Sequence, residues 1–184
     1  DKVKFDPTII RTRMKELAFL NSGTELHLRT FDKKTKEYED EKLLFAEGLK
    51  DYVLDLTSDA TRLHEPITFS GTMDGVRVEG ALCWTADSYS DTLLGYANSI
   101  RTTDGGTHLD GLKYSLTKTL NVVSRKAKLL KDSDPNLGGD HIREGLSGVI
   151  AVWVPEPEFE GQTKTRLGNS EVRRIVENIA NDAV

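Results

Sequence analysis

The hydrophobic positions change spacing several times along the chain, and each change marks an element. After Asp6-Pro7, an Asp placed to cap and a Pro suited to a first helical turn, Ile10, Met14 and Leu17 fall on one face at helical spacing. Asn21-Ser22-Gly23 stops that pattern, which predicts a helix over residues 7–20. From Thr24 the period becomes two, with Leu26, Leu28 and Thr30 alternating against polar neighbours. Asp32-Lys33-Lys34-Thr35-Lys36-Glu37 reads as a solvated turn leading into a second extended run over 38–44, so a hairpin is expected. Leu49, Val53 and Leu56 return to helical spacing within 46–56. Beyond His64-Glu65-Pro66, strands over 67–73 and 76–84 flank Asp74-Gly75, a strong tight-hairpin signal, and 93–100 is expected as their third partner.

A loop over 101–108 with a Gly105-Gly106 pair then precedes the longest helix, whose stripe is Leu109, Leu112, Leu116, Leu120 and Val123. Residues 132–140 are polar and turn-rich and predict a flexible surface loop. The run 146–154 is nearly all apolar and rich in β-branched residues, as in a strand buried on both faces, and Pro155-Glu156-Pro157 ends it. A loop reaches Gly168, after which Asn169 or Ser170 caps a last helix with Val172, Val176 and Ile179 turned inward. Hairpins first and a strand, helix, strand unit later define an α+β chain, with no internal repeat.

Composition narrows the function classes. At 184 residues and 20.5 kDa, with a mean hydropathy of -0.45, one core is expected, with room for a partial second unit at an end. No run approaches the roughly 18 to 20 apolar residues that cross a bilayer, and no signal-peptide zoning opens the chain, so neither membrane insertion nor secretion is expected. The start at Asp1, with a helix almost at once, predicts a piece of a longer protein. A formal net charge of -5 means that any nucleic-acid role needs a local basic face. The lone Cys83 excludes an internal disulfide, suggests a reducing compartment and, between Leu82 and Trp84, reads as a buried inert thiol.

Three stretches carry candidate chemistry, and the histidines are not among them. His27, His64, His108 and His141 lack zinc-site spacing, and His108, after a Gly-Gly-Thr turn, fits packing or capping better than catalysis. Asp104-Gly105-Gly106-Thr107 at a helix start resembles an anion cradle, although it lacks the Lys of a P-loop and the third Gly of a dinucleotide fingerprint. Residues 111–131 contain Lys113, Lys118, Arg125, Lys126, Lys128 and Lys131 and no acid; this is either a solvated helix face or one that meets a polyanion. The loop 155–167 follows a buried strand that fixes its root. Its Gln162 and Lys164, on either side of Thr163, would point the same way from an extended segment and suit phosphate oxygens.

Four motifs go further together. Leu17-Ala18-Phe19-Leu20-Asn21-Ser22-Gly23, Asp104-Gly105-Gly106-Thr107-His108, Arg143-Glu144-Gly145-Leu146 and Glu158-Phe159-Glu160-Gly161-Gln162-Thr163-Lys164 occur in this order and spacing in the B subunits of DNA gyrase. The chain resembles that family over essentially its whole length. Topoisomerase IV shares the glycine loop and the Gln-Thr-Lys triplet, but Arg143 to Leu146 and Gly168-Asn169-Ser170-Glu171-Val172 are of the gyrase kind. The resemblance implies a transducer domain over 23–184, of the ribosomal protein S5 domain 2 fold with a left-handed β-α-β crossover, preceded over 1–22 by the end of a GHKL ATPase domain. About 98% of such crossovers are right-handed, so pattern alone would not suggest this one.

The same resemblance implies an ATP-hydrolysing type II topoisomerase that uses ATP and Mg2+, with the Mg2+ held by the preceding domain. Gln162 and Lys164 match the family loop that touches the ATP γ-phosphate, with Lys164 in the catalytic role. Lys113 matches a position lining the DNA cavity, where many relatives carry Arg, and Lys118 and Arg125 are grouped with it as DNA-facing. The implied partners are the GHKL domain of the same chain, gyrase A in an A2B2 heterotetramer, and double-stranded DNA, with no membrane. The chain on its own is expected to be inactive and monomeric. The implied location is the bacterial cytoplasm, or a plastid or mitochondrion in a eukaryote. A non-enzymatic S5-like nucleic-acid-binding module, the equivalent topoisomerase IV domain and a structural dimer arm of a related ATPase are the competing readings.

Overall fold

The computed structural model describes residues 5–32 and 34–183; Lys33, in the charged turn, lies outside the described residues. Asp6 caps α1 (Pro7–Leu20), its carboxylate accepting from the Thr8 N–H at 2.8 Å. The hairpin of β1 (Leu26–Phe31) and β2 (Tyr38–Leu43) stands apart as a two-stranded sheet and leads to α2 (Leu49–Leu56). A five-stranded sheet follows, built from β3 (Ile67–Met73), β4 (Val76–Trp84), β5 (Thr92–Ala97), β6 (Ile100–Arg101) and, after the long helix α3 (Thr107–Lys126) and the short α4 (Gly139–Ile142), β7 (Leu146–Trp153). A small hairpin, β8 (Phe159–Glu160) with β9 (Arg166–Leu167), precedes α5 (Ser170–Asn181).

The sheet order is β3-β4-β7-β5-β6. The segment expected as third partner of the β3–β4 hairpin is therefore displaced by one place. It is also broken at Asn98-Ser99, both at positive φ, into β5 and the two-residue β6. β7 inserts between β4, to which it is antiparallel, and β5, to which it is parallel. A continuous apolar run belongs in that central place, because both of its faces are covered. Leu146, Ile150 and Val152 join Val78 and Leu82 against α3 and α5, while Val149 and Ala151 join Ala81 and Cys83 against α2 and the end of α1. The result is an α+β molecule with helices on both faces of one mixed sheet.

Three expectations need correcting. Ile10 is exposed on α1 and only the last turn, Ala18 to Leu20, is buried, because that end alone reaches the core shared with Leu49, Tyr52 and Val53. Val123 is exposed as well; the α3 stripe is covered by α5 and the sheet only as far as Leu116 and Leu120. The 132–140 segment is anchored, since Asn121 exchanges hydrogen bonds with the backbone N–H and C=O of Leu137 at 2.8 and 3.0 Å.

Candidate functional site

The loop carrying Gln162 and Lys164 is the tip of the β8–β9 hairpin, and its root is held from several directions. Asn169 occupies the N-cap position of α5, but its side chain serves the loop. Its Oδ1 accepts from the Glu158 N–H at 2.7 Å and its Nδ2 donates to the Glu156 carbonyl at 3.1 Å. The Gly168 N–H donates to the Glu158 carbonyl at 2.7 Å. Asn169 is 4% exposed, so these bonds are shielded from water.

The tip itself turns rather than extends. Gly161 and Lys164 have φ of 77° and 55°, so the expectation that Gln162 and Lys164 share one side of an extended strand does not hold. Both side chains are exposed all the same. Among the described residues Lys164 makes no ion pair; its ammonium lies 5.9 Å from the centre of the Phe159 ring. A left-handed φ at a non-glycine residue costs free energy, and Asp74, Asn98 and Ser99 adopt it too, each in a tight turn.

The glycine loop at the start of α3 is not an open anion cradle, because β9 lies in it. The Asp104 N–H donates to the Thr165 carbonyl at 2.9 Å, and the Leu167 N–H to the Gly105 carbonyl at 3.3 Å. A Cβ on Gly106, whose φ is 135°, would sit 2.5 Å from both the backbone nitrogen and oxygen of Leu167. Glycine is needed here for backbone freedom and for room. Arg166 crosses the same loop, donating from Nη1 to the Asp104 carbonyl at 2.8 Å and from Nη2 to the Asp110 carboxylate at 3.2 Å.

His108 anchors this region from below. It is 0% exposed, with Nε2 3.0 Å from the Thr102 hydroxyl, and a Cβ on Gly95 would come within 2.5 Å of that nitrogen. Burial, helped by the nearby Arg166 charge, pushes the imidazole pKa down to about 4, which keeps it neutral and suits the packing role expected of it. Cys83 is likewise buried; its Sγ donates to the His64 carbonyl at 3.3 Å, and burial pushes the thiol pKa up.

The basic residues of α3 do not form one face. Lys113 lines a cleft of about 320 Å³ together with Arg101, Asp104, Asp110 and Arg166. Lys118 and Arg125 line a separate cleft of about 330 Å³ with Tyr114, Asn121 and Leu137. The Arg125 guanidinium is engaged there, donating to the carbonyls of Lys131 and Asp134 and to the Asn136 side chain, so it braces the loop after α3. Among the described residues no cluster of three or more His, Cys, Asp or Glu side chains is arranged to hold a metal ion, and no helix is long and apolar enough to cross a membrane. Sequence reasoning passed over Arg166, Asp110 and Asn169 as site residues. The available signal was position, since Arg166 lies two residues after Lys164.

A mixed sheet with helices on both faces, carrying a rooted hairpin whose tip exposes Gln162 and Lys164, defines an α+β domain. A family model for DNA gyrase B matches residues 48–184. The chain is 54% identical over 186 residues to the DNA gyrase B protein of Synechocystis, covering 100% of this chain and 17% of that protein. It is 56% identical over 173 residues to the rice chloroplastic/mitochondrial DNA gyrase B protein, covering 94% of this chain and 24% of that protein. The crystal structure of the 43K ATPase domain of Thermus thermophilus gyrase B, in complex with an aminocoumarin, superposes with a TM-score of 0.85 at 34% identity, over 98% of this chain and 48% of that one. The chain belongs to the DNA gyrase B family. It spans about a fifth of the length of these two curated relatives.

Proposed function

We propose that this chain is the transducer segment of a gyrase B protein, which passes the state of the ATP site to the DNA-handling part of the enzyme. In this reading 23–184 form the transducer and 1–22 the end of a GHKL ATPase domain. Phe5, just before α1, and Ile9, in its first turn, are both exposed large apolar side chains, which fits the second assignment if they form one patch. The burial of Ala18, Phe19 and Leu20 ties that helix firmly to the transducer core.

Gln162 and Lys164 reach the γ-phosphate of ATP held by the neighbouring domain, Gln162 through its amide and Lys164 through a charge-assisted contact. The ammonium stabilises charge on the transferred phosphoryl group, as cationic groups supplied from outside a nucleotide domain do. Adenine, ribose and Mg2+ are held by the preceding domain, so the chain alone binds no ATP; dimerisation relies on an N-terminal arm and nucleotide closure, so the chain alone is monomeric. Hydrolysis removes the contact and shifts the population toward states in which the transducer is free to move. Lys113 and Lys118 present positive charge to double-stranded DNA, while Arg125 shapes the loop beside them. Lys in place of Arg at 113 keeps the charge without a planar fork. The complete enzyme is an A2B2 assembly with gyrase A that hydrolyses ATP and introduces negative supercoils, in a bacterial cytoplasm or in an organelle of bacterial ancestry.

The observation that carries this reading is the hairpin itself: an exposed Lys164, without an ion pair among the described residues, on a tip whose base is bonded to the start of α3. An ATP analogue with a photoreactive group on its γ-phosphate tests the contact in a gyrase B protein carrying this chain. Crosslinking within 161–165 is expected; labelling elsewhere in the chain would contradict it.

A further inference from the structure

Resting on the reading that Lys164 meets the γ-phosphate, we propose that Arg166 is the positioning residue that sets where that lysine sits, by locking the β8–β9 hairpin to the first turn of α3. Arg166 is two residues from Lys164, a span of at most about 7 Å of chain, so its placement controls the tip closely. Three groups from three segments hold its guanidinium. They are the Asp104 carbonyl in the glycine loop at 2.8 Å, the Asp110 carboxylate on α3 at 3.2 Å and the Glu160 carboxylate on β8 at 3.3 Å. The guanidinium lies over Gly105, where a Cβ would be 3.4 Å from Nη1. A planar fork with several fixed donors suits a carbonyl and two carboxylates in different directions better than a single ammonium does.

The exposure of these groups separates positioning from stability. The Arg166, Asp110 and Glu160 side chains are 38%, 47% and 62% exposed, and exposed ion pairs contribute little to folding. The fold here is held instead by the backbone bonds of β9 to the glycine loop and by Asn169. Removing the guanidinium therefore leaves β9 seated but lets the tip shift, and a displacement of an ångström at a reacting centre is enough to cost rate steeply. Asp110 and Lys113 line the same cleft as Arg166, so the anchor of the phosphate loop adjoins the lysine assigned to DNA.

The test uses a complete gyrase B protein carrying this chain, assembled with gyrase A. Arg166→Ala should lower kcat for ATP by about tenfold, with KM changed by less than about threefold and the melting temperature nearly unchanged. Arg166→Lys should recover part of the loss, and Asp110→Asn should give a smaller fall that does not add to that of Arg166→Ala, as expected for residues acting through one contact. The yield of γ-phosphate crosslinking to 161–165 should fall in Arg166→Ala alongside kcat. Normal kcat and crosslinking in Arg166→Ala, in an enzyme that Lys164→Ala impairs, would overturn the inference. A kcat loss matched by a large drop in melting temperature would overturn it in favour of a structural role. Normal turnover in Lys164→Ala would remove the reading beneath it, and the inference with it.

Discussion

Leu167 occupies the space where Gly106 would carry a side chain: its backbone nitrogen and oxygen both lie 2.5 Å from the position a Cβ would take. The two residues form a parallel bridge, which seats the last residue of the β8–β9 hairpin against the N-cap of α3.

Gly106→Ala should therefore destabilise the protein by about 2 kcal/mol or more, from a strained φ together with a backbone clash. Chemical denaturation of wild-type and variant protein measures this. A change below about 0.5 kcal/mol, the level of an ordinary surface substitution, would show that β9 is not seated in the glycine loop as described.

Much of this architecture was legible in the sequence. The two strands at Asp74-Gly75, the β-branched run now β7 and the cap at Asp6 each follow from local chemistry and lie where that chemistry places them. The insertion of β7 between β4 and β5 was not legible, because strand order is decided by contacts far apart in the chain. At the site, Gln162 and Lys164 stood out by residue type, whereas the filling of the glycine loop by β9 did not. An anion and a neighbouring peptide group satisfy the same free N–H donors, and only the tertiary structure tells which one is present. Arg166 and Asn169 were hidden for the same reason, as their partners come from other segments.

His108 is expected to stay neutral well below the ordinary histidine range. Its pKa falls from 6.5 to about 4 on folding, so between those values the unfolded chain binds a proton that the folded one refuses. Its contribution is fully present above pH 6.5 and is lost as pH falls towards 4, by an amount on the order of 3 kcal/mol. An NMR titration of the imidazole should show no midpoint between pH 5 and 8. A midpoint near 6.5 would mean that the ring is not buried as described.

Lys113→Glu in a complete gyrase B protein assembled with gyrase A should lower the ratio of supercoiling to DNA-independent ATP turnover by about tenfold, as loss of phosphate neutralisation predicts. Phosphate neutralisation by lysine acts on DNA and is screened by salt, so the deficit should narrow as salt weakens DNA binding in both proteins. Equal loss of both activities would place Lys113 in the fold rather than at the DNA.

If Lys164 works on the γ-phosphate from outside the nucleotide domain, steady-state ATP turnover by a complete gyrase B protein carrying Lys164→Ala must reveal it. The expected result is a kcat lower by about 10³-fold with a far smaller change in ATP affinity, because the adenine and Mg2+ contacts remain. Gln162→Ala should be milder, since a neutral amide makes a weaker bond to phosphate than an ammonium does. Near-normal turnover by a correctly folded Lys164→Ala enzyme would contradict the claim.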